Sequence, residues 1–330
     1  MLSKIEMDKV ILAVDIGGTK TAVGVITTDG RILHRATEPT LQKGPEAGIH
    51  QIITLIESLF QRSKLNLEQI IGVGVGIPAV LEDNTDLVIW GPNLIGWENV
   101  DLRGSLETHF KLPVKLEYDG HSAVLGEWWM GAGRGHRYIV NIIIGTGVGG
   151  GMILDGRLVR GINRLAGAVG WFAFDSTYIP SESYANRLGS WEECIAGPGI
   201  AQRAKKLLEE QVKIGEKNSK LSENPDAREV FTLAKQGDPL AQKIAIEEAV
   251  YIGLGLANIT SMVNPEIIIL GGSVGANANF LIPQIKETMK KWAQPTSGKS
   301  VEIVPSLLGI DAGLLGAAYG VLLRENQPIN

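Results

Sequence analysis

VILAVDIGGTKTAVGVI, residues 10–26, contains two apolar runs separated by a short polar segment. The first run ends at Asp15, and the second begins at Thr21. Two runs rich in β-branched residues, joined by a few glycine-rich residues, predict a tight β-hairpin. A third β-type run at residues 31–37 extends this hairpin, so we expect the chain to open with an antiparallel sheet.

The turn of this hairpin carries the residues of a phosphate site. Gly17 and Gly18 lack Cβ atoms, so a polyanion can approach the backbone N–H groups closely. Thr19 adds a donor, Lys20 adds a positive charge, and the Asp15 carboxylate can hold the water shell of Mg²⁺. The strand-to-helix motif GxxxxGK[ST] and the dinucleotide motif GxGxxG are both absent. We predict a phosphate-binding hairpin, and an ordinary hairpin turn is the alternative that these residues leave open.

Length, composition and charge limit the class of protein. The chain has 330 residues, a length that suits two domains of ordinary size. Hydrophobic residues make up 44% and charged residues 20%, as in soluble globular proteins with large cores. The net charge is −5 and no long basic run occurs, which argues against nucleic acid or an anionic membrane as a partner.

Targeting signals and cysteine content favour a cytoplasmic protein. No apolar stretch reaches the roughly 18 residues of a membrane span. Residues 1–9 lack the apolar core of a signal peptide. Cys194 is the one cysteine in the sequence, which excludes an intrachain disulfide and a zinc site built from several cysteines.

The second half of the chain repeats the opening arrangement. Residues 138–144 form an apolar run, residues 145–151 are glycine-rich, and residues 152–154 resume the apolar pattern. Two copies of strand, Gly/Thr turn and strand predict an internally duplicated architecture. A third glycine-rich turn, residues 271–275, follows the apolar run at residues 266–270. Three such turns suit a site that surrounds a nucleoside triphosphate.

Helices separate these strands. Apolar residues recur at helical spacing over residues 45–62 and predict a helix with one buried face. Asn224-Pro225 and Asp238-Pro239 each predict an N-cap followed by proline at the first helical position, and the second helix should extend to about residue 262. Residues 312–324 predict a closing helix rich in Gly and Ala. Strands that alternate with helices indicate an α/β protein of two domains.

Five motifs together resemble one protein family. They are DIGGTK at 15–20, GPNLIGW at 91–97, EYDGHSAVLGE at 117–127, IIGTGVGGGMILDG at 143–156 and EIIILGG at 266–272. In this order they resemble the ROK family of sugar kinases and related repressors, within the hexokinase, Hsp70 and actin-like ATPase class. The resemblance extends over nearly the full length of the chain.

The resemblance implies two duplicated ribonuclease-H-like α/β domains, of the actin and hexokinase type, around a central cleft. Residues 1–122 would form the N-terminal domain with the phosphate hairpin. Residues 123–311 would form a larger C-terminal domain with the second phosphate turn and the adenosine site, and residues 312–330 would pack back onto the first domain. No DNA-binding helix-turn-helix precedes Val10, so the chain resembles the kinase branch. Relatives in the family are commonly dimers, so we expect a homodimer.

Asp119 occupies the position of the catalytic base in ROK kinases. A sugar hydroxyl is a poor nucleophile, and a carboxylate within hydrogen-bond reach can accept its proton as the bond to phosphorus forms. The alternative for Asp119 is a structural one, the N-cap of the helix that follows.

The resemblance also assigns the cofactors, ATP and Mg²⁺. The expected phosphate-binding residues of the first domain are Asp15, Gly17, Gly18, Thr19 and Lys20, with Asp15 holding Mg²⁺ through water. The expected residues on the opposite side are Gly145, Thr146 and Gly147, and those bordering the adenosine are Gly271 and Gly272. Asn93 and Glu192 match positions that hold sugar hydroxyls; their alternatives are a turn-forming Asn and a solvated Glu at a helix end.

The chain departs from the kinase pattern around the sugar. Tyr118 replaces a sugar-binding Asn, and Ala168 and Trp171 replace the Glu and His of the Gly-Glu-x-Gly-His motif. Ser183, Ala185 and Ser190 stand at cysteine positions of the zinc loop, so we expect no structural zinc. Trp171 offers a flat face that can stack on a sugar or on a bulkier substituent, and core filling is the alternative for this residue.

Two functional hypotheses follow. The first is an ATP- and Mg²⁺-dependent kinase that acts on a sugar or a sugar-like polyol. The second is a catalytically silent sugar-binding protein or sensor that has kept the fold, and the altered sugar positions motivate it. An ATPase of the chaperone or actin type is disfavoured, because the chain length leaves little room for partner-binding domains.

Overall fold

The computed structural model describes residues 9–63, 65–174, 188–213, 215 and 218–323. Contacts divide the chain into two compact units. The first unit contains the described residues of 1–135, 151–167 and 310–330, and the second contains those of 136–150 and 168–309. The domain boundaries at residues 122 and 311 stay a prediction.

The strands are β1 Val10–Ile16, β2 Lys20–Thr27, β3 Ile32–Pro39, β4 Ile70–Ile77, β5 Val80–Leu81, β6 Val88–Trp90, β7 Glu98–Val100, β8 Val114–Tyr118, β9 Ile139–Ile144, β10 Val148–Leu154, β11 Arg157–Leu158, β12 Ile267–Gly271 and β13 Glu302–Pro305. The helices are α1 Pro45–Ser63, α2 Leu102–Phe110, α3 Asp119–Met130, α4 Ser190–Ile195, α5 Gly197–Lys213, α6 Ala227–Lys235, α7 Pro239–Val263, α8 Gly272–Asn277, α9 Ile282–Trp292, α10 Pro295–Ser300 and α11 Ala312–Leu322.

The first sheet has the order β3-β2-β1-β4-β8. The predicted hairpin is confirmed, since β1 and β2 are antiparallel and Asp15 pairs with Ala22. Strands β1, β4 and β8 are parallel, with Asp15 beside Gly76 and Gly76 beside Glu117. The carboxyl ends of these strands therefore meet at one edge of the sheet, where α/β proteins commonly bind their ligands.

Helices cover both faces of this sheet. Val14 of β1 joins Ile52 and Ile56 of α1 in a buried core cluster. Side chains alternate along a strand, so Asp15 lies on the opposite face, which α11 covers. A Cβ atom at Gly74 of β4 would lie only 1.9 Å from the carbonyl oxygen of Ala317 in α11. The glycine therefore permits the close approach of this helix to the sheet.

A second sheet has the order β11-β10-β9-β12-β13, and β5, β6 and β7 form a small third sheet. Strands β9, β12 and β13 are parallel in the second unit, with Ile143 beside Gly271. The chain passes from the second unit to the first within β10, after Gly150. The predicted strand, Gly/Thr turn and strand at residues 138–154 is thus present. Within the part of the chain that the structure describes, no helix is both long and apolar enough to span a bilayer.

Helix starts were predicted with mixed success. Asp238 caps α7 and Pro239 is its first residue, as predicted. The start predicted at Asn224-Pro225 is wrong, because α6 begins at Ala227 and the Asp226 carboxylate accepts the Glu229 N–H at 2.7 Å. The predicted turn after β12 is also the start of a helix, α8.

Replacing Asp238 tests how α7 is anchored. One carboxylate oxygen accepts from Ala241 N and Ser219 Oγ, both at 3.0 Å, and the other accepts from Lys220 N at 2.6 Å. Burial raises the pKa of Asp238, but these hydrogen bonds prevail and the pKa is lowered. We expect Asp238→Ala to reduce the free energy of unfolding by about 2 kcal/mol at pH 7, measured by urea denaturation.

Because the folded pKa is lowered, this contribution is present above the ordinary aspartate pKa and is lost as the pH falls through the folded pKa. The difference between wild type and Asp238→Ala should therefore shrink in acid. Asp238→Asn keeps one capping acceptor and is the matched control, with a smaller loss that does not vary with pH. Equal stability of wild type and Asp238→Ala at pH 7 would contradict this account.

Candidate active site

Two aspartates stand at carboxyl ends of parallel strands in the first unit. Asp15 lies near the end of β1, and Asp119 directly follows β8 as the first residue of α3. Tyr118 occupies the N-cap position, so the alternative reading of Asp119 as that cap does not describe this helix. The Oδ1 atom of Asp119 accepts the Gly120 N–H at 2.7 Å. Both aspartates are half-buried.

The protein surroundings raise the pKa of both carboxyl groups. Withdrawal from water raises the pKa of Asp15 to about 7; the charges of Asp119 and Asp311 add to this effect, and Arg35 opposes it. Withdrawal from water also raises the pKa of Asp119 to about 6, against the Gly120 hydrogen bond and the positive charge of His121. A cation beside these acids would stabilise their ionised forms, which burial disfavours. The pair therefore fits a hydrated divalent ion.

The start of α11 encloses Asp15. A Cβ atom at Gly313 would lie 2.6 Å from Asp15 Oδ1, so the glycine lets the helix come close to this carboxylate. The N-terminal end of a helix also favours negative charge nearby. Asp311, just before α11, binds Arg35 of β3 at 2.7 Å. The sequence analysis missed these three residues, because Gly313 and Asp311 lie almost 300 positions beyond Asp15.

Residues after β3 hold the hairpin turn in place. Within the turn, Gly17 N donates to Lys20 O at 2.8 Å. Thr40 donates from its hydroxyl to Gly17 O at 2.7 Å and from its backbone to Thr19 O at 3.0 Å. Gln42 Nε2 donates to Gly18 O at 2.7 Å. The side chains of Thr19 and Lys20 remain exposed at the turn.

Gln42 also joins the hairpin to the loop that carries Asn93. Its amide donates to Asn93 O at 3.1 Å and accepts the Ile95 N–H at 3.1 Å. Leu94 N donates to Gly91 O at 3.0 Å, so Asn93 does lie in a tight turn. Asn93 is exposed beside Gly18 of the β1–β2 turn, and its position is consistent with both a turn-forming and a sugar-binding residue.

A buried charge network supports the start of α3. His121 is fully buried, with Nδ1 3.0 Å from Glu117 Oε1 and Nε2 2.8 Å from Ala166 O. Each ring nitrogen of His121 therefore faces an oxygen atom that can accept a hydrogen bond. The Tyr118 ring packs edge-on against His121, with centroids 5.2 Å apart.

Two arginines complete this network. Arg160 Nη2 lies 2.7 Å from Glu117 Oε2, and Arg164 Nη2 lies 3.7 Å from Glu117 Oε1. Burial raises the pKa of Glu117, but the His121 hydrogen bond and these cations prevail and lower it to about 2. In the sequence, only the i, i+4 spacing of Glu117 and His121 indicated that these two side chains could pair.

The second unit brings together its own glycine-rich turns. Gly145 directly follows β9, and Gly271 is the last residue of β12. Because these strands are parallel neighbours, both glycines lie at the same edge of the sheet. Gly145 and Thr146 line a cavity of about 290 Å³, close to the lower limit for small-molecule sites. The other lining residues are Gly197, Pro198, Ala201, Asp226, Ala227, Arg228, Phe231, Ser273, Val274 and Asn277. Gly272 is the first residue of α8.

The surroundings of Glu192 and Trp171 do not match the structural alternatives for these residues, a solvated helix end and core filling. Glu192 is half-buried and its Oε2 accepts the Val148 N–H at 2.6 Å, so it is not a solvated helix end. Burial raises the pKa of Glu192, and the charge of Glu193 raises it further. The hydrogen bond from Val148 lowers this pKa but does not cancel the rise. Trp171 is 49% exposed and does not fill the core, whereas Trp191 is fully buried.

At Ser190, one of the positions compared above with zinc-loop cysteines, Oγ donates to Phe172 O at 3.2 Å, and the neighbouring Trp191 stacks on the Phe172 ring. Ser183 and Ala185 lie outside the described residues. Among the described residues, no three His, Cys, Asp or Glu side chains are grouped to hold a metal ion. A magnesium ion beside Asp15 would thus take most of its ligands from water and phosphate oxygens, as this ion commonly does.

A sequence model of the ROK family matches residues 11–324, and the chain belongs to this family. A glucokinase of Halalkalibacterium halodurans is 32% identical over 330 residues, which cover 97% of each chain. A crystal structure of a ROK family glucokinase from Streptomyces griseus, in complex with glucose and AMPPNP, has a TM-score of 0.79 and 28% identity, covering 94% of this chain and 98% of that chain. A xylose repressor of Bacillus spizizenii is 28% identical over 94% of this chain and 76% of its own.

These comparisons confirm the predicted family and fold class. The chain has the two-domain α/β fold of ROK sugar kinases, of the actin and hexokinase type. Its relatives include glucokinases and a xylose repressor. The two glucokinases of Halalkalibacterium halodurans and Thermotoga maritima match nearly the full length of both chains.

Glu117→Gln tests the buried charge network. Removing the carboxylate leaves the buried His121 without its acidic partner and leaves Arg164 with Asp86 alone, which is strongly destabilising. The lowering of the Glu117 pKa from 4.5 to about 2 corresponds to on the order of 3 kcal/mol of folding free energy at neutral pH. We expect a loss of this size in urea unfolding.

This stabilisation is fully present above about pH 5 and is lost as the pH falls toward 2, because the folded pKa lies below the unfolded value. Glu107→Gln is the matched control: Glu107 is half-exposed and pairs with Arg103 at 3.1 Å, so we expect a loss below about 1 kcal/mol. Similar losses for the two variants would show that the network around Glu117 does not act as described.

Proposed function

We propose that this protein is an ATP- and Mg²⁺-dependent kinase that phosphorylates a hydroxyl group of a sugar or sugar-like polyol. The observation that carries the proposal is Asp119, a half-buried carboxylate at the carboxyl end of β8 with a pKa raised to about 6. The likeness to the glucokinase bound to glucose and AMPPNP supports the same reaction class.

Asp119 acts as the general base in this proposal. Its Oδ1 already accepts the Gly120 N–H, so Oδ2 accepts the proton of the sugar hydroxyl. As that proton leaves, the hydroxyl oxygen forms a bond to the γ-phosphorus of ATP, the bond from this phosphorus to the bridging oxygen breaks, and ADP departs. A pKa near 6 leaves the carboxylate mostly ionised at pH 7 and still basic enough to accept a proton.

The glycine-rich turns bind the nucleotide. In the first unit the backbone of Gly17 and Gly18, with Thr19 and Lys20, contacts the phosphates, and Asp15 holds the hydrated ion. When bound, Mg²⁺ neutralises charge on the phosphate oxygens. In the second unit the phosphate residues are Gly145, Thr146 and Gly147, and those beside the adenosine are Gly271 and Gly272.

Asn93, Glu192 and Trp171 bind the sugar. The amide and the carboxylate suit hydroxyl groups, and the exposed indole of Trp171 offers a flat face to the ring. We further propose that the enzyme works as a cytoplasmic homodimer on a free sugar, without a nucleic-acid or membrane partner and without structural zinc.

A catalytically silent sugar sensor is the second candidate. Tyr118, Ala168 and Trp171 replace sugar-contacting residues of the family, and a xylose repressor is among the relatives. The discriminating assay is ADP release from ATP·Mg²⁺ across hexoses, amino sugars and inositols. Turnover of any of these supports the kinase; no turnover, with thermal stabilisation by a sugar, supports the sensor.

Asp119→Asn tests the general base. We expect kcat to fall by about 10²–10⁴-fold while the dissociation constants of AMPPNP and sugar change little, because the amide keeps the size of the side chain but cannot accept the proton. Asp29→Asn is the control, since Asp29 is exposed and pairs with Arg31 at 3.1 Å, and kcat should not change. Unaltered turnover of Asp119→Asn would rule out this role.

The pH dependence of kcat/KM provides an independent test. Activity should decline on the acid side with a midpoint of about 6, the pKa of Asp119 in the free protein. The positive charge of His121 lowers that pKa, so His121→Gln should move the midpoint to higher pH. His109→Gln removes an exposed histidine that pairs with Glu57 at 2.8 Å and should leave the midpoint in place. If His121→Gln left the midpoint unchanged, the stated effect of the His121 charge on the pKa of Asp119 would be wrong.

A further inference from the structure

A second cavity lies entirely within the first unit, along β8, the edge strand of its sheet. Its volume is about 630 Å³, well within the range of small-molecule sites. Lys115 and Glu117 of β8, Arg103 of α2 and the segment 156–164 line it. The nucleotide and sugar positions described above are not among its lining residues.

The lining carries an excess of positive charge. Its cationic side chains are Arg103, Lys115, Arg157, Arg160 and Arg164, and its carboxylates are Asp83, Asp86 and Glu117. Asp86 contacts Arg103 and Arg164, and Glu117 contacts Arg160 and Arg164. Among the described residues of the lining, five cations and three carboxylates give a formal excess of two positive charges. A monoester phosphate, with a charge of about −1.5 to −2 at pH 7, would match that surplus.

Arg164 has a buried donor that lacks an acceptor. The residue is 8% exposed, its Nη2 donates to Leu116 O at 2.6 Å, and its Nη1 contacts Asp86. Its Nε is buried and, among the described residues, has no hydrogen-bond partner. An unsatisfied buried N–H is costly, so the Arg164 side chain is held under strain beside the cavity.

The backbone around the cavity is also strained. Asn84, Asp86 and Arg164 all line it, and their φ angles are 67°, 60° and 54°. Residues other than glycine rarely adopt this left-handed conformation, and such strain concentrates at binding sites. Here it places the Asp86 carboxylate against the Arg164 guanidinium.

The remaining lining suits the body of a sugar. Trp128 and Leu158 provide apolar surface, while Asn84 and Asp83 provide groups that bind hydroxyls. The volume is far larger than inorganic phosphate needs. We propose that this cavity binds a sugar phosphate, with the phosphate beside the arginines and the ring against Trp128. Because binding requires no turnover, the proposal does not depend on the kinase proposal.

The test is isothermal titration of the full chain with glucose 6-phosphate. We expect one equivalent to bind at this cavity, with an affinity that falls as salt is added. The double variant Lys115→Gln/Arg157→Gln changes two exposed side chains, so it should fold normally and weaken binding about tenfold or more. Lys20→Gln, in the phosphate hairpin, is the matched control and should leave this binding event unchanged.

Three results would overturn the proposal. Absence of binding is the first. Binding that Lys20→Gln weakens and Lys115→Gln/Arg157→Gln does not would place the ligand at the predicted active site. Inorganic phosphate binding as tightly as glucose 6-phosphate would indicate an adventitious ion only.

Discussion

The withdrawal of two carboxylates from water, where the parallel strands β1, β4 and β8 end, is the constraint on which the site depends. Asp15 lies near the end of β1 and Asp119 follows β8, and Gly76 of β4, the strand between them, adds no side-chain bulk. Burial raises the pKa of both acids, and the charge of Asp119 raises the pKa of Asp15 further. Such a pair is stable only if neighbouring dipoles and cations compensate part of the charge.

The surrounding elements supply this compensation from several directions. The start of α11 reaches Asp15 through Gly313, and Arg35 lies near the same carboxylate. On the other side, His121 places a positive charge close to Asp119 and is itself held by Glu117 and Ala166. The carboxylates are therefore held by strands and helices and not by mobile loops, which favours a fixed geometry for catalysis.

The sequence predicted local features better than distant partners. The hairpin and the cap at Asp238 both follow from short-range patterns. Arg35, Gln42, Arg164 and Gly313 were missed, because each acts on residues far away in the chain and no local pattern records such contacts. The cap predicted at Asn224 was wrong because Asp226, two residues later, provides a carboxylate to the Glu229 N–H. The environment of Glu192 likewise depends on Val148, 44 positions earlier.

The most direct test is a ¹³C NMR titration of the aspartate side-chain carboxyl groups in the ligand-free protein, assigned with Asp15→Asn and Asp119→Asn. The account predicts a midpoint of about 7 for Asp15 and about 6 for Asp119. It also predicts that the Asp15 midpoint falls when Asp119 is replaced, because a neighbouring negative charge has been removed. Midpoints near 4 for both groups, the value of exposed aspartate at about 3.9, would contradict the account.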